Sequence, residues 1–279
     1  MNWSSTWPAP AKLNLFLHIL GRRPDGYHLL QTVFRFIDWG DDLNFAPRDD
    51  GQIVLLTPTP GVPPEEDLTL RAARSLQRYT ACRQGVSISL KKNLPMGGGL
   101  GGGSSDAATV LVALNHLWQT GVARSELEQL GLSLGADVPV FVHGQNCFAE
   151  GVGERFTDLA LPAATYLIVH PGVHVPTAAI FGAPELCRST PPLDPAHWCV
   201  GEGHNDLEKV ACAAFPEIAH LLAVLRDVAP QALMTGSGAC IFAAFADAAA
   251  AQAVQARLPA HWRTKIAQGL AQHPLAGIV

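Results

Sequence analysis

Pro95-Met-Gly-Gly-Gly-Leu-Gly-Gly-Gly-Ser-Ser-Asp106 decides how this chain is read. Six of the seven residues from Gly97 to Gly103 are glycine, which makes no sense as core. Without side chains, the backbone N–H groups of such a loop can converge on an anion. A helix N-terminus beside them adds roughly half a positive charge. The ligand that fits is a polyphosphate. The flanks are ordered, unlike those of a Gly/Ser linker. Val86-Ser-Ile-Ser-Leu90 alternates like a half-buried strand, and Ala107, Val110, Leu111, Leu114, Leu117 and Trp118 share one helical face. Ser104 and Ser105 are suitable N-cap residues, and Asp106 suits the first turn. The expected order is strand, glycine loop, capped helix.

Two look-alikes fail. Gly97, Gly99 and Gly102 satisfy G-x-G-x-x-G, but any glycine tract does. The acidic residue after a second strand is missing, because Ser125-Glu-Leu-Glu128 looks like a capping box that starts a helix. The pattern G-x-x-x-x-G-K-[ST] fails because no Lys precedes Ser104 or Ser105.

The chain has 279 residues, enough for one large domain or two modest ones. A formal charge of -5 argues against a nucleic-acid binder, whose footprint would be basic. No signal-like segment opens the chain, and no apolar run is long enough for a membrane span. The alanine-rich stretch 243–253 is expected to be a helix of a soluble protein. None of the six cysteines forms a C-x-x-C pair, so free buried thiols and a cytoplasmic location are expected.

Residues 11–46 are expected to be strands, Leu13–Leu20 and then Leu29–Ile37, joined by Gly21-Arg-Arg-Pro-Asp-Gly-Tyr-His28 with its Pro-Asp-Gly turn signal. Residues 57–66 suit a surface loop, 67–79 a helix and 125–134 another. Tyr166–Val169 suggests a buried strand, and 183–203 is proline-rich and irregular. Helices are expected to start at Asn205 and Pro216 and to run over 247–258. Leu233–Phe245 suggests strand, glycine turn, strand. Few regular βαβ units appear, so the expected class is α+β with two lobes and a cleft.

Several residues carry chemistry. Lys12 sits inside an apolar strand pattern, where burial requires an anionic partner; otherwise it reaches solvent at an edge. Asn14 shares its face. Asp137, in Leu134-Gly-Ala-Asp-Val-Pro-Val-Phe141, suits the cap of a short helix with Pro139 in its first turn, and capping is compatible with a catalytic role. Thr235-Gly-Ser-Gly238 suits a tight hairpin or the phosphate side of a cleft. Tyr27 and His28 could stack on a ring and bond its edge, or simply lie exposed.

Taken together, Pro8-Ala-Pro-Ala-Lys-Leu-Asn-Leu15, Pro95–Ser105 and Thr235-Gly-Ser-Gly-Ala-Cys240 resemble the three motifs of the GHMP kinase superfamily, in order. The stretches Arg23-Pro-Asp-Gly-Tyr-His28, Gly135-Ala-Asp-Val-Pro139, Ala149-Glu-Gly-Val-Gly153 and His170-Pro-Gly172 with Pro176-Thr177 narrow the resemblance, over nearly the whole chain, to members whose acceptor carries a cytidine diphosphate group.

The resemblance implies a two-lobed fold: a nucleotide-binding lobe over 1–158 and a ferredoxin-like, substrate-binding lobe over 159–279. It implies transfer of the γ-phosphoryl group of ATP, with Mg²⁺, to the 2-hydroxyl of a cytidine diphosphate-linked methylerythritol in non-mevalonate isoprenoid synthesis. By position, Asp137 matches the catalytic base and Lys12 its partner. Asn14 and Thr177 match the methylerythritol end, and Tyr27, His28 and Phe181 match a pocket where rings sandwich cytosine. Lys92, Pro95, Met96, Gly97, Gly98, Gly99, Leu100, Gly101, Gly102, Gly103, Ser104 and Ser105 match the nucleotide site. Ser105 is the candidate hydroxyl for the metal, and no carboxylate ligand is evident. Asp67 stands where the family usually carries Asn, which removes a donor from that position. No nucleic-acid or membrane partner is implied, and the chain is expected to be a monomer or weak homodimer. A kinase of a smaller alcohol, such as homoserine or mevalonate, and a nucleotide-binding protein without turnover remain the alternatives.

Overall fold

Trp7–Arg22 (β1) and His28–Arg48 (β2) form a long antiparallel hairpin that organises the first lobe. The computed structural model describes residues 1–278. The strands extend a few residues beyond the expected 11–46 region at each end, through Pro8 and Pro10 of β1 and Pro47 of β2. Pro8 and Pro10 are tolerated because β1 pairs with β2 on one side only. The other edge of β1 is closed by loops instead. Lys12 N donates to Leu100 O at 3.0 Å, Leu17 N to His204 O at 2.8 Å and Asn14 N to Thr235 Oγ1 at 3.0 Å. One strand edge thereby draws the glycine loop and the Thr235 turn together.

Around the hairpin lie Ile53–Leu55 (β3), Gly85–Lys91 (β4), Cys147–Glu150 (β5) and Arg155–Asp158 (β6), giving a sheet ordered β3-β4-β2-β5-β6 with β1 beyond β2. Helices Leu68–Tyr79 (α1), Gly102–Leu117 (α2), Arg124–Leu134 (α3) and Val138–His143 (α4) belong to the same lobe. Their core includes Trp7, Phe36, Phe45, Val110, Leu114 and Phe141.

The second lobe has Thr165–His170 (β7), Leu233–Met234 (β8), Ile241–Phe245 (β9) and Arg263–Gln268 (β10) in the antiparallel order β10-β7-β9-β8. Helices Thr177–Gly182 (α5), Asp206–Ala214 (α6) and Pro216–Val228 (α7) follow β7, and Ala248–Gln255 (α8) follows β9. That alternation and strand order make a ferredoxin-like lobe, and the fold is α+β with two lobes. Phe16, Val33 and Phe148 of the first sheet pack with Tyr166, Ile168 and Phe242 of the second, joining the lobes behind the cleft.

Some local expectations change. Ala243–Phe245 of the alanine-rich stretch is strand, and only Ala248–Gln255 is helix. The Ser125 capping box is absent. Helix α3 starts at Arg124 behind Ala123, whose N–H donates to Glu126 at 3.1 Å, so one half of a box forms two residues earlier. Neither Ser104 nor Ser105 caps α2. Gly101, at φ +74°, turns the chain into the helix, and Ser105 N already donates to Gly101 O at 2.8 Å. Helix α2 is buried on nearly every side rather than along one stripe. The cysteines are all free, but Cys187 and Cys199 are exposed rather than buried. Among the described residues no helix is long and apolar enough to cross a membrane.

Candidate active site

The glycine loop is held by its carbonyls. Gly97 O accepts from Ala239 N and Gly98 O from Cys240 N, each at 3.1 Å, and Leu100 O accepts from Lys12 N. Among the described residues, no hydrogen bond within the protein uses the amide N–H of Gly97, Gly98, Gly99 or Gly101. The loop therefore spends its acceptors on the scaffold and keeps these donors for a ligand. Gly99 could be nothing else: its φ is +73°, and a Cβ there would lie 2.1 Å from Thr235 O.

Beside the loop, Lys12 is buried, with Nζ 2.5 Å from Asn14 Oδ1 and 3.4 Å from the Asp137 carboxylate. The Lys12 side chain is 3 % exposed and that of Asp137 40 %, so a buried cation faces a carboxylate open to the cleft. Asp137 stands at the N-cap position of α4, with Pro139 in the first turn, yet makes no side-chain cap bond. Asn14 Nδ2 donates to Thr32 Oγ1 at 2.9 Å, whose hydroxyl passes on to Phe16 O. The Thr235 hydroxyl accepts from Asn14 N, and Asn205 Nδ2 donates to Met234 O and Gly236 O at 2.7 and 2.8 Å. All three sequence motifs thus meet around Lys12 and Asn14.

Lys92 lies between two carboxylates, bonded to Asp41 and, at 2.7 Å, to Asp106. Burial alone would lower the Lys92 pKa, but Asp106 and Asp41 outweigh it and raise it. Burial, with Asp41 nearby, pushes the Asp106 carboxyl up to about 7 against the pull of Lys92. Asp106 Oδ1 is buried and has no partner. Asp41 carried no sequence signal, since it reaches Lys92 from 51 residues away.

Ser105 does not fit the metal role expected of it. It is fully buried and its hydroxyl donates to Pro10 O at 2.7 Å. That bond turns it toward β1, and Ser104 lines the cavity instead. Asp67 caps α1: one oxygen accepts from Thr69 N and Leu70 N and the other from the Thr59 hydroxyl at 2.9 Å. A carboxylate is fully used there, which gives this position a structural occupation beside any contact with a nucleotide. Among the described residues no cluster of His, Cys, Asp and Glu forms a metal site by itself.

At the other end of the cleft, the His28 and Phe181 rings are 5.3 Å apart. Tyr27 is 60 % exposed beside them. Arg188, unflagged by the sequence, donates from Nε to His28 Nε2 at 3.1 Å. Burial first, and then the Arg188 and Arg22 cations, hold the His28 pKa below its usual value. Thr177, at the start of α5, shares a 2.9 Å hydroxyl bond with Ser237.

One cavity of about 980 Å³ is lined by all of these groups: Asp67 and the glycine loop, then Lys12 and Asp137, then Tyr27, His28, Thr177 and Phe181. Both lobes contribute. The volume suits a pair of elongated ligands laid end to end, with the Lys12–Asp137 pair where they meet.

Comparisons with known proteins place the chain in a family. Residues 67–145 match the family described as GHMP kinases N terminal domain, and 196–264 match GHMP kinases C terminal. The chain is 68 % identical over 272 residues to the 4-diphosphocytidyl-2-C-methyl-D-erythritol kinase of Dechloromonas aromatica (strain RCB), covering 98 % of this chain and 99 % of that one. It is 56 % identical to the enzyme of the same name from Azoarcus sp. (strain BH72), covering 98 % and 96 %. A crystal structure of 4-(cytidine 5'-diphospho)-2C-methyl-D-erythritol kinase superposes with a TM-score of 0.82 at 35 % identity, covering 95 % of this chain and 99 % of that one.

Proposed function

Since the chain belongs to the 4-diphosphocytidyl-2-C-methyl-D-erythritol kinases, a family of GHMP kinases, we infer that it transfers the γ-phosphoryl group of ATP to the 2-hydroxyl of 4-diphosphocytidyl-2-C-methyl-D-erythritol, in isoprenoid precursor synthesis. The observation that carries this is the Lys12–Asp137 pair midway along a cavity with free amides at one end and aromatic rings at the other.

In the proposed mechanism Asp137 accepts the proton of the 2-hydroxyl. That oxygen forms its bond to the γ-phosphorus as the bond from phosphorus to the bridging oxygen breaks, and the electron pair leaves with ADP. Such a transfer needs positioning and charge stabilisation more than covalent help. Lys12 holds its positive charge against the Asp137 carboxylate and faces the charge on the transferring group. Asn14 holds the Lys12 ammonium in place and, with Thr177, lines the methylerythritol end. The amides of Gly97 to Gly101 receive phosphate oxygens, and the N-terminus of α2 adds its dipole. Tyr27 and Phe181 enclose the cytosine ring and His28 bonds its edge. A smaller alcohol would leave those rings without a purpose.

Mg²⁺ takes one or two carboxylates together with phosphate oxygens and water. Asp106 Oδ1, a buried and unpartnered carboxylate oxygen on the cavity wall, fits that requirement, with Ser104 near it. When bound there, the ion would neutralise charge on the phosphates. We take the enzyme to work in the cytoplasm, as a monomer or weak homodimer.

The test is ADP release by the purified protein with Mg²⁺, ATP and 4-diphosphocytidyl-2-C-methyl-D-erythritol, beside homoserine and mevalonate. Turnover with the first substrate alone is expected. A folded protein that binds ATP and turns over none of them would mean the assignment is wrong.

A further inference from the structure

Arg188 has no place in the mechanism above, yet its guanidinium is committed in a specific way. Nη2 donates to Phe181 O at 3.1 Å and Ala183 O at 2.7 Å, Nη1 donates to Leu186 O at 3.0 Å, and Nε donates to His28 Nε2 at 3.1 Å. Three backbone carbonyls around the end of α5 fix the plane of the group. The fourth bond is therefore aimed rather than incidental.

An arginine only donates. His28 Nε2 must then be the acceptor, and in a neutral imidazole the proton must sit on Nδ1. Among the described residues His28 Nδ1 has no hydrogen-bond partner, and the residue lines the cavity. The edge left for a ligand is a donor with no lone pair. We propose that Arg188 is a specificity-determining positioning residue: it locks His28 in the Nδ1–H tautomer, so that the pocket accepts a pyrimidine whose N3 carries a lone pair and rejects one whose N3 carries a hydrogen. Cytosine has the lone pair and uracil has the N–H. Facing the Nδ1–H donor, cytosine completes a bond, whereas uracil brings two donors together and leaves both unpaired.

Two further observations fit. Burial and the cations of Arg188 and Arg22 disfavour protonation of His28, and among the described residues no carboxylate is hydrogen-bonded to the ring to oppose them. The same guanidinium also holds the carbonyl of Phe181, whose ring packs 5.3 Å from His28. One side chain therefore sets the edge reader and the ring that covers the base. The proposal rests on the base pocket described above.

The test combines spectroscopy and kinetics on the full-length enzyme. Nitrogen-15 spectra of histidine-labelled protein, assigned with His28→Ala, are expected to show His28 as the neutral Nδ1–H form at pH 7 to 8. A dominant Nε2–H form would overturn the proposal on wild-type protein alone, whether or not any variant folds. Arg188→Met and the milder Arg188→Lys are then compared on the cytidine diphosphate substrate and its uridine diphosphate analogue. The preference for cytidine in kcat/KM is expected to fall at least about tenfold in Arg188→Met, through KM, because a freed imidazole can present a lone pair to uracil N3–H. An unchanged preference would overturn the proposal. His28→Ala separates the two readings. If it leaves KM for the cytidine substrate unchanged, the pocket assignment itself is wrong. If it raises KM while Arg188→Met changes nothing, only the role of Arg188 is wrong.

Discussion

The Lys12 ammonium, 3 % exposed, lies 3.4 Å from the Asp137 carboxylate, 40 % exposed. The buried partner is fixed and the open one is free to meet a substrate. For Asp137→Asn, which keeps the shape and removes the basic oxygen, kcat is expected to fall on the order of 10²-fold or more, with KM for both substrates within a few-fold of wild type. Steady-state kinetics check this, and a near-normal kcat would remove Asp137 from the role of base. Lys12→Met should lower kcat at least as far, because it leaves Asp137 and Asn14 without their cation.

Gly99 connects the loop to the second lobe. A Cβ at this position would meet Thr235 O at 2.1 Å in a backbone conformation with φ +73°. Gly99→Ala is expected to cost at least about 2 kcal/mol from the left-handed backbone and the clash. Thermal melting should show a midpoint several degrees lower, given roughly 2–4 °C per kcal/mol for chains of this size. KM for ATP should rise as the loop shifts. A fully stable variant with normal KM would mean that the loop and the Thr235 turn are not packed this closely in solution.

What was legible in the sequence was what depends on near neighbours. Asp67, Asn205 and Asp247 announce α1, α6 and α8, and each accepts from the first turn of its helix. The glycine loop and both strands of the Thr235 turn were legible for the same reason. What was hidden depends on distant partners. Ser105 looks like a cap or metal ligand until Pro10 O, 95 residues away, claims its hydroxyl. In the sequence Asp137 is paired with Lys12 by the resemblance alone, since its own neighbours suggest only a helix cap. Asp41 and Arg188 sit in no motif, and only the fold brings them to Lys92 and His28. The strand region 11–46 was legible to within a few residues, and its start was missed because Pro8 and Pro10 are accommodated by the edge position of β1.

His273 gives the fold a dependence on pH. It is buried against Phe36 and Phe141, with Nδ1 accepting from Leu275 N. Burial, and then the Arg124 cation, push its pKa down to about 3. The folded protein holds it neutral, while the unfolded chain takes up a proton below about pH 6.5. The group's contribution is therefore complete above pH 6.5 and is lost progressively as pH falls toward 3, at no more than about 1.4 kcal/mol per pH unit. His273→Gln, though less stable at neutral pH, should show a shallower loss of stability between pH 6.5 and 5. Denaturant titrations at several pH values read the slope, and an equal slope in both proteins would assign the dependence to other groups.

Phe181 tests the base pocket without touching the reacting atoms. Its ring lies 5.3 Å from His28, on the cavity wall away from the glycine loop, and it is held by α5 of the second lobe. Removing a ring that stacks on a base costs about tenfold to a hundredfold in affinity. For Phe181→Ala, KM for 4-diphosphocytidyl-2-C-methyl-D-erythritol is therefore expected to rise by that factor, while KM for ATP stays within a few-fold. The contrast between the two KM values matters more than either alone. A variant that merely loosened the lobes would disturb the glycine loop, which is bonded to Ala239 and Cys240 of the second lobe, and would raise both. A rise confined to ATP would place the nucleotide, not the cytidine group, against Phe181, and would reverse the orientation assigned to the two ligands in the cleft.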